Sequence, residues 1–158
     1  MKTNTMLSIV ICIAIPMVIG SLSGLATAGA IDNWYAQLTK PSFTPPNYLF
    51  GPVWTLLYVL MGISLFLVWK SPAGSERTTA ITIFAIQMAL NFAWTFLFFY
   101  FHRPGTSLIE IGLLWITIFF MIVAFSRIDK TAALLQIPYI LWVSFASVLN
   151  GAIWYLNR

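Results

Sequence analysis

Residues 49–69 read LFGPVWTLLYVLMGISLFLVW, an unbroken run without a charged side chain. A helix rises about 1.5 Å per residue and needs about 20 apolar residues to cross about 30 Å of hydrocarbon, so this run is long enough to span a bilayer. It is continuously apolar, without the period-2 alternation of an outer-membrane strand, which favours a helix over a barrel strand. Working outward, four more runs of the same kind lie at about 6–28, 80–101, 107–126 and 133–156. The expected fold is an all-α membrane protein, with residues 1–158 forming a single five-transmembrane-helix bundle.

Composition points the same way: 60% of the side chains are apolar, 8% are charged and the mean hydropathy is +0.90, beyond what a water-soluble domain carries. The net charge of +4 arises from eight basic and four acidic residues, nearly all between or just outside the apolar runs. Charge so placed reports topology, and no nucleic-acid partner is expected. Lys2, Lys70, Arg77, Arg127 and Lys130 fall on one side of five spans, and Lys40, Arg103 and Arg158 on the other. That excess predicts a cytoplasmic N-terminus and an external C-terminus. Lys2 before an apolar run and Ala28-Gly29-Ala30 after it imitate a signal peptide, but the run exceeds the usual h-region of about 7–15 residues and reads as a retained helix. The single cysteine, Cys12, lies inside an apolar run, which leaves no intrachain disulfide or cysteine metal cluster.

The first two spans are separated by residues 29–48, a long Pro-rich loop in so compact a chain. Pro41, Pro45 and Pro46 fix φ and push their predecessors toward extended backbone, predicting stiffness. Trp34, Tyr35, Phe43 and Tyr48 make it amphipathic. Two readings stand: an aromatic belt at the lipid interface, or a lid over one end of the bundle.

The segment Trp34-Tyr35-x-x-Leu38-x-Lys40-Pro41-Ser42-Phe43-Thr44-Pro45-Pro46, with Phe50-Gly51-Pro52-Val53-Trp54-Thr55-x-x-Tyr58 after it, resembles the signature of the tryptophan-rich sensory protein family, also called the translocator protein or peripheral benzodiazepine receptor family. Gln87-x-x-Leu90-Asn91-x-x-Trp94 in the third span and Pro138-Tyr139-x-x-Trp142-x-x-Phe145-Ala146-x-x-Leu149-Asn150 in the fifth extend the resemblance over the whole chain. It implies a bacterial cell-membrane protein, commonly a homodimer, that binds porphyrins and benzodiazepine-site ligands in a pocket beneath the first loop. No obligatory cofactor is implied; the porphyrin is the ligand.

The residues themselves carry part of that reading. Gln87, Asn91, Trp94 and Phe98 share one helical stripe, as do Tyr139, Trp142, Ala146, Leu149 and Ile153, with Asn150 one turn from Ala146. Trp54, Tyr58 and Met61 form a third. Such aromatic stripes with a few amides suit a flat, conjugated, mostly apolar ligand. The candidate ligand-binding residues are therefore Tyr35, Pro45, Phe50, Trp54, Tyr58, Gln87, Asn91, Trp94, Trp142, Ala146, Leu149 and Asn150. Lys40 and Arg103, on one side of the membrane, are candidates for pairing with porphyrin propionates. For Gln87, Asn91 and Asn150 the competing reading is interhelical hydrogen bonding, worth about 0.6–2 kcal/mol each.

Other features read structurally. Trp69 and Trp154 sit at span ends as interface anchors. Trp115 has no assigned partner. Gly20-x-x-x-Gly24-x-x-x-Ala28 is a small-residue stripe for close helix packing, within the bundle or between subunits. Ser107-x-x-Glu110 reads as a capping box, against a proton-relay role for the acid. His102 and Arg103 form an interfacial basic pair. Leu149-x5-Tyr155-x2-Arg158 matches a loose sterol-contact pattern that arises often by chance. No catalytic set of a conventional enzyme is present, so no catalytic residue is assigned. The alternatives to a porphyrin receptor are a light- and oxygen-dependent porphyrin-degrading catalyst, with Trp54, Trp94 and Trp142 as redox partners, and a small transporter of tetrapyrrole or lipid-like ligands.

Overall fold

The computed structural model describes residues 5–158, so Lys2 lies outside the described residues. Among these every regular element is helical, as a lipid environment requires: with no water to pair with, backbone N–H and C=O groups must bond within their own segment. The elements are α1 (Thr5–Ala30), extended by a wider π-type turn to Tyr35; α2 (Phe50–Trp69), entered through a single turn at Asn47–Leu49; α3 (Ser75–Thr95), extended to Tyr100; α4 (Pro104–Ser126); the short α5 (Lys130–Leu134); and α6 (Ile137–Leu156). Five rods, Thr5–Tyr35, Asn47–Trp69, Ser75–Tyr100, Pro104–Ser126 and Lys130–Leu156, are long and apolar enough to cross a membrane. The protein is an integral membrane protein.

Element ends differ from the hydropathy reading, and for local reasons. The first rod runs on past residue 28, because Asn33 Nδ2 donates back to the Gly29 carbonyl (2.8 Å) and nothing breaks the helix there. The non-helical connection shrinks accordingly, from 29–48 to residues 38–46. The last span is interrupted at Leu135 and Gln136, just before Pro138, which has no N–H to continue a helix. Asp129 caps the short α5 by accepting from the Ala132 N–H (3.0 Å).

The capping box at Ser107 and Glu110 is not formed. Helix α4 starts three residues earlier, with Pro104 as its first residue, so Ser107 is already inside it. Its hydroxyl lies 3.0 Å from both the Pro104 carbonyl oxygen and Asn150 Oδ1. The buried Glu110 carboxyl has no hydrogen-bond partner on either oxygen.

Packing runs α1 on α2, α3 on α4 and α4 on α6, with α5 against both α4 and α2. Two glycines let α1 and α2 touch: a Cβ on Gly62 would stand 2.4 Å from Ile13 Cα, and one on Gly20 2.0 Å from the Tyr58 ring. The Ser64 hydroxyl donates to the Ala132 carbonyl and joins α2 to α5. Met61, Val68, Ile118, Met121 and Phe125 fill the centre of the bundle. Outside, Leu25, Ile109, Leu113 and Leu141 stand exposed on the surface that meets lipid.

Candidate ligand cavity

The three aromatic stripes all turn inward but serve different ends. Along α3 and α6 the amides of Asn91 and Asn150, and the oxygen of Gln87, are spent on neighbouring helices, while the buried Gln87 Nε2 has no partner. Tyr58 Oη donates to Asn91 Oδ1 (3.0 Å), Asn91 Nδ2 donates to Tyr139 Oη (3.1 Å), and Tyr139 Oη donates to Gln87 Oε1 (2.9 Å). This buried chain joins α2, α3 and α6. A second node forms at Asn150: its Oδ1 accepts from Trp94 Nε1 (3.1 Å) and its Nδ2 donates to the Pro104 carbonyl (2.7 Å). Such bonds fix helix rotation in a medium where an unpaired amide is costly.

Above the first chain lies a cavity of about 290 Å³. Tyr35, Phe50, Trp54, Tyr58, Trp94, Trp142 and Ala146 line it. Pro45, Gln87, Asn91, Leu149 and Asn150 are not on its wall, and neither are Lys40 and Arg103. Aromatic contacts hold the wall in shape: Trp54 stacks on Tyr58 (centroids 5.4 Å apart), Phe50 meets Trp142 edge-on (5.9 Å) and Trp94 stacks on Phe98 (5.5 Å).

The remaining wall is one the aromatic pattern did not reveal. Met17, Gly20, Ser21, Ser23, Gly24, Thr27 and Ile31 of α1 close the cavity opposite the tryptophans. Ser23 and Thr27 turn their hydroxyls back onto the Gly20 and Ser23 carbonyls (3.0 and 2.8 Å), which leaves a smooth, weakly polar surface. The signal available in sequence was the small-residue stripe from Gly20, and its hydroxyl neighbours at 23 and 27 were the part left unread.

At the loop end, Tyr35, Phe98, Leu149 and Ile153 form a separate buried cluster. Leu149 is thus turned into the protein, so the Leu149–Tyr155–Arg158 pattern does not lie on one lipid-facing strip. Residues 38–46 pack beside this cluster: Asn157 clasps Thr39, accepting from its N–H and donating to its carbonyl (2.9 Å each), and Phe43 meets Phe145. Lys40 Nζ donates to the Ala36 carbonyl (3.2 Å) and sits 4.8 Å from the Tyr35 ring centre. Trp34 stacks on His102, a residue with φ of 54° in the turn between α3 and α4. Trp115 Nε1 donates to Ser144 Oγ (2.8 Å), the partner its position in sequence did not disclose.

A five-span helical bundle with an aromatic-lined cavity defines a polytopic membrane protein. Residues 12–156 match the model of the TspO/MBR family, and the chain belongs to that family. It is 41% identical to the tryptophan-rich protein TspO of Chlorobaculum tepidum, over 96% of both chains. It is 37% identical to the translocator protein of Homo sapiens, over 79% of this chain and 75% of that one. It is 34% identical to the tryptophan-rich sensory protein of Cereibacter sphaeroides, over 84% of each.

Proposed function

We propose that this protein is a membrane receptor or sensor whose ligand is a flat, conjugated, mostly apolar molecule of the porphyrin class, with benzodiazepine-site ligands competing for the same cavity. One observation carries the reading: Trp54, Trp94 and Trp142 converge on a largely apolar cavity that is open along one side. Indole faces offer offset-stacked and edge contacts to a conjugated ring. The volume of about 290 Å³ falls just below the range of small-molecule sites, about 300 to 1,000 Å³. A tetrapyrrole therefore seats part of its macrocycle and keeps its propionates outside, where Lys40 and Arg103 are the candidate cations. The words "sensory" and "translocator" in the names of relatives accord with a ligand-responsive membrane protein. The N-terminus is assigned to the cytoplasm of a bacterial cell, and the working unit to a homodimer.

Protoporphyrin titrated into the purified protein is expected to quench tryptophan emission saturably. Replacing Trp94 and Trp142 together weakens binding at least about tenfold, a loss of roughly 1.4 kcal/mol, whereas replacing Trp69 and Trp154 leaves it unchanged. Linear, non-saturating quenching, or equal losses from the two pairs, refutes the site. A chemically altered porphyrin recovered after illumination in oxygen makes the protein a catalyst instead.

A further inference from the structure

The cavity wall is exposed to the outside along one seam only. Its exposed members are Ser21 and Gly24 of α1 together with Asn47, Gly51 and Thr55 of α2 and its entry turn; the residues it takes from α3 and α6 are at least partly covered. The same seam is shut lower down, where Gly62 meets Ile13 and Gly20 meets Tyr58. Beyond Gly20 the two helices part: a Cβ on Gly24 or on Gly51 has nothing within 4 Å. Gly24 lies eleven residues before the end of the first rod and Thr55 eight residues after the start of the second, about 16 and 12 Å along the helix axes. Gly51 lies four residues into the second rod, about 6 Å, and Asn47 at its start, so the opening runs from the rod end down to the level of the bilayer hydrocarbon. None of residues 38–46 lines the cavity, and that segment is fastened to α6 through Asn157 and Phe145.

We propose that the α1/α2 seam at Gly24 and Gly51 is the ligand entrance, and that it admits molecules already dissolved in the lipid. This rests on the cavity being the binding site. The absence of side chains at the two glycines keeps the gap wider than any other residue would, and at the rim the Ser21 hydroxyl, with Thr55 Oγ1 as an acceptor because its proton goes to the Gly51 carbonyl (2.9 Å), gives a passing polar substituent a place to bond. The ligand class follows: a planar amphiphile whose ring partitions into the bilayer and slides in edge first.

The test is stopped-flow quenching of tryptophan fluorescence by protoporphyrin, with the protein in lipid nanodiscs. Gly24→Leu and Gly51→Leu should slow both association and dissociation, each on the order of tenfold. Gly29→Leu, which is equally open but off the cavity wall, should behave as wild type. To remove folding from the outcome, Gly24→Cys in a Cys12→Ser background is blocked after purification with a bulky thiol reagent and released with reductant; the rates should fall and recover. Unchanged rates in the leucine and blocked-cysteine proteins, or slowing only when Pro41, Pro45 and Pro46 are replaced by alanine, overturn the entrance. A wild-type protein that never quenches saturably refutes the binding site itself, and the entrance with it.

Discussion

At the scale of single residues, two glycines four positions apart do opposite work. Gly20 is closed over by the Tyr58 ring, whereas Gly24 faces open space. Gly20→Ala should therefore cost about 1–3 kcal/mol, because the tyrosine must move and its bond to Asn91 goes with it. Gly24→Ala should be within about 0.5 kcal/mol of wild type. Thermal unfolding in detergent separates them, and equal midpoints would mean that α1 and α2 do not pack as described. The spacing of Trp54, Tyr58, Trp94, Trp142 and Ala146 made them legible as inward residues before any coordinates, since helical period alone decides which residues share a face. It did not tell cavity-lining from helix-joining groups. Asn91 and Trp94 sit on one stripe and both bond to neighbouring helices, yet only Trp94 also lines the cavity. Only the position of the opposing helix makes that difference.

At the scale of elements, hydropathy located all five spans but not their ends. It measures suitability for lipid, whereas a helix persists as long as its backbone bonds are satisfied, which is why α1 continues through the polar Asp32 and Asn33. The wall from α1 was missed for a related reason: glycine, serine and threonine carry no chemical signature, and their value lies in the room they leave. The connection at 38–46 is short and fastened at Thr39 by Asn157. Asn157→Ala should release it, at a cost of about 0.5–1.5 kcal/mol per bond lost, with faster amide exchange greatest in residues 38–46 and a smaller rise at the end of α6, where Asn157 Nδ2 also donates to the Ile153 carbonyl (2.7 Å). Exchange that rises equally in α6 would show that Asn157 supports the helix end and not the loop. The partnerless Glu110 also belongs here: the expected cap vanished because Pro104 starts α4 a turn early.

At the scale of the molecule, the bundle divides into a packed half and an open half. Methionine, isoleucine and phenylalanine fill the centre around Met61 and Met121, and the buried Tyr58–Asn91–Tyr139–Gln87 chain seals it from the cavity above. Packing is tight below, and the helices part above; on the proposed reading a ligand enters without disturbing the core. A competing apolar groove on the outer surface, lined by Ile15, Ile19, Leu22, Phe84 and Met88, faces lipid with scarcely a polar atom and has no tryptophan in its wall. The structure of the protein bound to protoporphyrin, determined in a lipid environment, tests the central claim most directly. Macrocycle density between Trp54, Trp94 and Trp142, with its edge at Gly24 and Gly51, is the predicted result. Density in the outer groove, with the tryptophan cavity empty, would contradict it.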